Sequence, residues 1–339
     1  MQFKLHTAFP DALEKEWNAL LAESITNVPF LRFEYLRNWW QTRGGGEWSS
    51  DSSLVIISAH DDERLLGIAP LFHSQHAGKS ALLFLGSIEI SDFLDFIVQP
   101  DNLAAFTTGL LAFLSSEPSI PQWETLDLYN LLDSSPSHAQ LKQAAGALGW
   151  NFTSAITHHA PVIHLPGDWD TYLAELVKKQ RHEIRRKIRR LEEADLPSSW
   201  YFVEDEKLLD DAIEEFLALM AQDPEKEAFL TEEMVTAMSG TIKTAFTHGY
   251  LQLSFLEIDG QKAAAYLNFD YDNQIWVYNS GLNRDFFSYS AGWVLLGYLL
   301  RWANENGRSN FDFMRGDEDY KYRFGAQDRF VQRLTITRA

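Results

Sequence analysis

The run from Trp276 to Tyr322 restricts the fold of this chain more than any other stretch. It reads as a strand, a Gly281-Leu282-Asn283-Arg284 turn, and Ser290-Ala291-Gly292 opening an apolar helix. Phe311-Asp312-Phe313-Met314-Arg315-Gly316 follows, then the polar cluster Glu318-Asp319-Tyr320-Lys321. Small residues between a strand and a helix N-terminus can aim several backbone N–H groups at an anion. The second strand ends in carboxylates, a phenol and an ammonium. This order suggests polar chemistry beside a phosphorylated ligand.

Apolar periodicity places this run in a longer pattern. In the first half, helices at Asp11–Glu23 and Phe30–Trp40 precede a hairpin, Leu54–Ala59 with Leu65–Phe72. Strands at Ala81–Leu85 and Phe93–Val98, a helix at Leu103–Leu114, a strand at Thr125–Tyr129 and a helix at Ser137–Leu148 come next. Phe152–Leu165 reads as strand. From Trp169 the order begins again, with one long helix, Tyr172–Ala194, and a strand near Trp200–Val203. Helices at Leu208–Ala221 and Glu232–Thr247 lead to strands Tyr250–Ile258 and Ala263–Tyr271, joined by an Asp259-Gly260 turn. Gln274–Ser280 is a strand, Ala291–Asn306 a helix, Asn310–Met314 a strand, and Gln332–Thr337 the last strand. Both halves therefore run helices, antiparallel hairpin, strand, helix, strand. Two domains are expected, 1–165 and 166–339, which suits 339 residues.

Composition narrows the function classes. At 45% hydrophobic and 14% aromatic residues the chain is not disordered. It has no cysteine, which excludes disulfides, thiolate metal sites and a cysteine nucleophile. The start, Met1-Gln2-Phe3-Lys4-Leu5-His6, lacks an apolar signal core, and no apolar run is long enough to cross a bilayer. A soluble, cytoplasmic protein without membrane insertion is expected. The net charge of −19 opposes non-specific binding to DNA or anionic membrane. Lys178 to Arg190 breaks that pattern, with eight of the 29 Lys and Arg residues and one acid, Glu183.

Candidate site residues follow from these elements. Ser290, Ala291 and Gly292 would offer helix-start N–H groups to a pyrophosphate; an ordinary Ser-capped helix is the alternative. Asn279 and Ser280 end a strand, where backbone N–H groups can stabilise an oxyanion; a simple buried strand end is the alternative. Arg284, in the adjoining turn, joins them as a cofactor-binding candidate. Asp312 and Glu318 are candidates for holding an amine or taking its proton; a strand Asp on a solvated face is the alternative for the first. Asp92 and Asp95 are substrate-binding candidates from the first half. Their spacing puts them on opposite faces of a strand, so at most one serves. Arg181, Arg185 and Arg186 flank the apolar stripe Leu173, Val177, Ile184, Ile188, Leu191 and can present guanidinium groups to phosphates. A solvated charged face is the alternative there. Gly78-Lys79-Ser80 mimics a P-loop end, but His73 stands where its first Gly belongs. No His-Glu-x-x-His pattern points to a metal, and none is expected.

The basic helix Lys178-Lys179-Gln180-Arg181 through Arg189-Arg190-Leu191, Ala264–Tyr271, Asn279–Asn283, Ser290-Ala291-Gly292, Phe311-Asp312-Phe313, Gly316, Glu318 and Tyr320-Lys321 occur in an order that resembles the GNAT acyltransferases. The resemblance is to their CelD-like branch, related to the FemAB-type peptidyltransferases, and it spans roughly 176 to 324. It implies an α+β fold of two tandem GNAT-like domains, each a mostly antiparallel mixed sheet flanked by helices. It also implies acetyl-CoA or another acyl-CoA as donor, with its arm along Gln274–Ser280. Tyr320 and Lys321 match an aromatic-Lys pair that FemAB-type relatives place at the reacting carbonyl. Lys321 would then stabilise the oxyanion, and Tyr320 would hold substrate or protonate the leaving thiolate; a core Tyr beside a surface Lys is the alternative. The loop from Arg284 to Gly292 departs from the family, being longer and carrying a single Gly.

The expectation is an N-acyltransferase acting on a small amine or nucleotide-sugar substrate. The implied acceptor is an amino sugar or another cell-envelope or exopolysaccharide precursor. Two rivals stand beside it: FemAB-type transfer from an aminoacyl-tRNA, and a non-catalytic module that holds a sugar nucleotide.

Overall fold

The structure is a computed structural model and describes residues 1–338. The strands are β1 (Gln2–His6), β2 (Ser53–Asp61), β3 (Arg64–His76), β4 (Lys79–Phe84), β5 (Ile97–Val98), β6 (Thr125–Leu132) and β7 (Asn151–His159). They continue as β8 (Val162–His164), β9 (Ser198–Phe202), β10 (Leu251–Ile258), β11 (Gln261–Tyr271), β12 (Gln274–Leu282), β13 (Asn310–Asp312) and β14 (Phe330–Thr337). The helices are α1 (Glu14–Ala22), α2 (Phe33–Gln41), α3 (Leu103–Ser116), α4 (Ser137–Ala147), α5 (Trp169–Glu175) and α6 (Lys178–Glu192). The remainder are α7 (Leu209–Met220), α8 (Pro224–Phe229), α9 (Glu232–Thr247), α10 (Ala291–Glu305) and α11 (Asp319–Arg323).

Two compact units result, Met1–His158 together with the chain from Arg329 onward, and His159–Asp328. Each holds one mixed sheet flanked by helices, the α+β architecture expected from the element order. The first sheet runs β1-β2-β3-β4-β6-β14-β7, with β5 against β3. The chain's last strand therefore lies inside the first unit's sheet, whereas the sequence reading assigned 166–339 to the second domain. Val331, Leu334 and Ile336 of β14 are fully buried there.

The second sheet runs β8-β13-β12-β11-β10-β9. Its hairpin turns at Asp259-Gly260, both at positive φ, which the Gly adopts without steric cost. β12 and β13 run parallel through three pairs, Gln274↔Asn310, Ile275↔Phe311 and Trp276↔Asp312. β13 then ends, while β12 runs on to Leu282. Leu267 faces Asn279 and Asn268 faces Val277, so Tyr278 is an extra residue in β12. Such a bulge bends and twists the strand that carries it.

The long helix expected over Tyr172–Ala194 is two helices. Asp168 caps α5 by accepting from the Thr171 N–H at 2.7 Å. Leu176 and Val177 then turn extended, with ψ of 148° and 134°. The Arg181 guanidinium donates to the Ala174 carbonyl at 3.2 Å, satisfying a helix end that continuation of the helix would otherwise satisfy. α6 packs Ile184 and Ile188 on α10 at Gly297, where a Cβ would stand 3.0 Å from Ile188 Cδ1. Three strand expectations differ in extent: only Ile97–Val98 of Phe93–Val98 pairs, Asn310–Met314 stops at Asp312, and Phe152–Leu165 divides at Ala160-Pro161.

Candidate functional site

The gap that opens where β12 outruns β13 leads to a cavity of about 230 Å3, lined among others by Tyr266, Ser280, Ser290, Ala291, Gly292 and Tyr320. Its lip is the start of α10. Ser290 is left-handed there, with φ 56° and ψ 43°, and its side chain makes no capping hydrogen bond. The alternative of a Ser-capped helix is therefore not what forms. A fifteen-residue helix begins with its first-turn amides lacking a side-chain cap, beside a cavity. Gly292 lets that start close on β12, since a Cβ would collide with Leu282. The loop read at Arg284–Gly292 is largely a 3-10 turn, Arg284–Tyr289, capped by Asn283.

Two phenols line the cavity. Burial pushes Tyr266 well up, with the nearby Tyr320 adding to the shift. Burial also pushes Tyr320 up, reinforced by the Glu318 charge. Both stay protonated at neutral pH and can donate a proton or hydrogen bond. Tyr320 stands edge-on to Phe313, with centroids 5.9 Å apart.

Ser280 lies on the same wall, but its N–H, one of the groups expected to serve an oxyanion, is already engaged by its neighbour Asn279. The Ser280 N–H donates to Asn279 Oδ1 at 2.9 Å. Lys226, on α8, donates from Nζ to the same Oδ1 at 2.9 Å and to the Ser280 carbonyl at 2.5 Å. Burial lowers the Lys226 pKa, while Asp223 and Glu318 oppose the shift.

Lys321 is buried, not solvent-facing, but its ammonium is already engaged. It donates to the carbonyls of Arg315 at 2.8 Å and Gly316 at 3.2 Å, and it pairs with Glu318 Oε2 at 2.9 Å. Gly316, at φ 115°, gives the ammonium and Glu318 room that a side chain would take. Lys321 thus ties down the loop after β13, with Tyr320 next to it facing the cavity. Glu318 is 57% exposed in its side chain and is reachable. Asp312 is fully buried, and its Oδ1 accepts from the Met314 N–H at 2.8 Å.

The remaining candidates stand elsewhere. The Arg284 side chain is exposed, and its backbone N–H donates to Gln222 Oε1. Arg185 pairs with Asp170 at 3.2 Å and Arg186 with Glu183 at 2.8 Å, both exposed. Another basic residue of α6, Lys187, stands 3.9 Å over the ring of Trp293, which lines the cavity. In the first unit Asp95 is buried and accepts from Thr26, Ser135, Ser137 and the Phe96 N–H. Those four donors counter the burial that raises its pKa. Asp92 is half-buried.

Tyr266, Lys226 and Lys187 went unread in the sequence. Tyr266 has a strand-face signal, two residues from Ala264 on one face, and Lys226 follows an Asp223-Pro224 helix start.

Residues 178–322, which contain the bulged strand, the uncapped helix and Tyr320, match the family model of the acetyltransferase (GNAT) domain. This segment is a GNAT domain. The whole chain has the fold of FemX, with a TM-score of 0.70 at 12% identity over 98% of this chain and 97% of that one. A conserved protein of unknown function from Bacteroides thetaiotaomicron is similar at a TM-score of 0.62 and 13% identity, over 99% of this chain and 100% of that one. L-PGS from Bacillus licheniformis is similar at 0.55 and 10%, over 96% and 91%. No curated protein sequence matches the chain. Among the described residues no helix is long and apolar enough to cross a membrane. The GNAT domain supports acyl transfer as the general chemistry.

Proposed function

We propose that the protein is an N-acyltransferase that takes its acyl group from acetyl-CoA or another acyl-CoA. The observation that carries this is the uncapped start of α10 opening on the cavity. A pyrophosphate finds fixed N–H donors and the positive end of a helix dipole there. The donor arm would follow β12 toward Ser280, where β13 has ended. The acceptor amine would lose its proton toward Glu318 and attack the thioester carbonyl, and Tyr320 would give its proton to the leaving thiolate. Holding the two reactants in line would supply much of the rate. An amino sugar or another envelope or exopolysaccharide precursor is the acceptor class this reading favours.

Calorimetric titration with CoA and acetyl-CoA tests it, with one saturable site expected. Tyr320→Phe should keep that binding and lower turnover about 100-fold, the scale of one lost proton donor. A protein that binds no CoA thioester would end this reading. The FemAB-type alternative, transfer from an aminoacyl-tRNA, draws support from the likeness to FemX and from the exposed basic face of α6. Activity lost on RNase treatment and absent with acyl-CoA would favour it. A module that merely holds a sugar nucleotide would bind that ligand and transfer nothing.

A further inference from the structure

We propose that Lys226 is a positioning residue of the acyl-transfer site, fixing the shape of β12 where the donor arm is read. This role rests on the acyl-CoA reading above. Past Trp276 and Asp312, β12 has lost its parallel neighbour, and the backbone groups on that side need other partners. At Ser280 two side chains supply them. Asn279 Oδ1 takes the N–H, and Lys226 Nζ takes the carbonyl. The same ammonium also holds Asn279 Oδ1, so the amide is pinned from both sides, and Nζ stands 3.5 Å from Ser280 Oγ. α8 carries Lys226 to that point and is itself fixed by Asp223, whose Oδ1 accepts from the Glu225 N–H at 2.9 Å and the Lys226 N–H at 3.4 Å.

Ser280 lines the cavity with Tyr266 and Tyr320. The lysine therefore decides where the strand end sits relative to the phenols. Docking α8 by itself would be served as well by an apolar side chain, which carries no desolvation cost. Keeping an ammonium in that half-buried place is explained by its hold on Asn279 and Ser280. Asp223 and Glu318 are the charged groups that act on it.

Lys226→Met in the full-length protein is the test, read three ways. Amide hydrogen exchange at Ser280 should rise about 10-fold or more while the β10–β11 hairpin stays protected. CoA affinity should stay within about threefold, because the helix start is untouched. kcat should fall about 10- to 100-fold, the scale of a misplaced reactant. Lys226→Gln, which keeps an uncharged N–H donor group, should fall between, and it carries the same readouts should the Met variant not fold. A lower melting temperature with kcat and Ser280 exchange unchanged would make the lysine purely structural and overturn the proposal. A wild-type chain that binds no CoA would instead sink the acyl-CoA reading, and the catalytic role of Lys226 with it, whatever the exchange result.

Discussion

Each unit sets a helix between two parallel strands, and the two copies differ in what fills the space beside it. In the first unit β4 and β6 pair in parallel at Ala81↔Thr125 and Leu82↔Leu126, with α3 between them in the chain. Phe106 of α3 meets Phe96 at 5.6 Å, and Phe96 meets Phe84 of β4 at 5.1 Å. Gly67 lets Phe106 in, since a Cβ there would stand 2.5 Å from the ring. The turn leading into α3 carries an acid, Asp101, which would repel a phosphate. In the second unit the helix start carries Ser290, Ala291 and Gly292, and the facing aromatics are phenols. One topology thus yields a solid core in one place and a hollow, polar-edged site in the other. Side-chain volume and charge at the helix start decide which.

Removing the segment after Asp328 would break the comparison most severely. β14 sits inside the first sheet, so its loss exposes three buried aliphatic side chains worth about 1.5–3 kcal/mol each, as well as both its neighbours' ladders. That approaches the whole stability of a domain. The first unit should lose its cooperative unfolding in urea. A truncated chain that keeps that transition would show the strand to be dispensable. Phe106→Ala comes next, costing about 3–5 kcal/mol by opening a cavity. It should gain no affinity for CoA, because the helix start there stays acidic. Measurable CoA binding in the first unit would mean that volume alone separates the two copies. Ser290→Asp is the mildest change. It puts a carboxylate at the start of α10, as Asp101 does before α3. It should weaken CoA binding about 30-fold, roughly 2 kcal/mol, with no loss of melting temperature. Undiminished affinity would place the phosphates elsewhere.

The element order was legible because period and punctuation are local. The Asp259-Gly260 hairpin, the start of α10 and the strand that begins at Asn310 all follow from short-range signals. The break at Leu176-Val177 was not, since no Gly or Pro marks it and the apolar stripe runs straight through. What accompanies it, the Arg181 guanidinium on the end of α5, is a contact across the kink. Tyr320 and Lys321 read as one reactive pair, yet α11 turns them to different tasks, the phenol to the cavity and the ammonium to the carbonyls of residues 315 and 316. Lys226 escaped notice because α8 is a helix of only six residues whose importance depends on where it docks. The pairing of β14 with β6 brings Gln332 to the Leu132 carbonyl across 200 residues, and no window of sequence carries it.

That last pairing has a consequence for synthesis. A ribosome releases the whole GNAT domain before it releases the strand that closes the N-terminal sheet. The half made first must therefore wait, incompletely zipped and with β6 and β7 lacking their mutual neighbour, until the half made second has emerged. The usual order of vectorial folding, first out and first finished, is reversed. A chaperone or a slow stretch of translation would matter most over that interval.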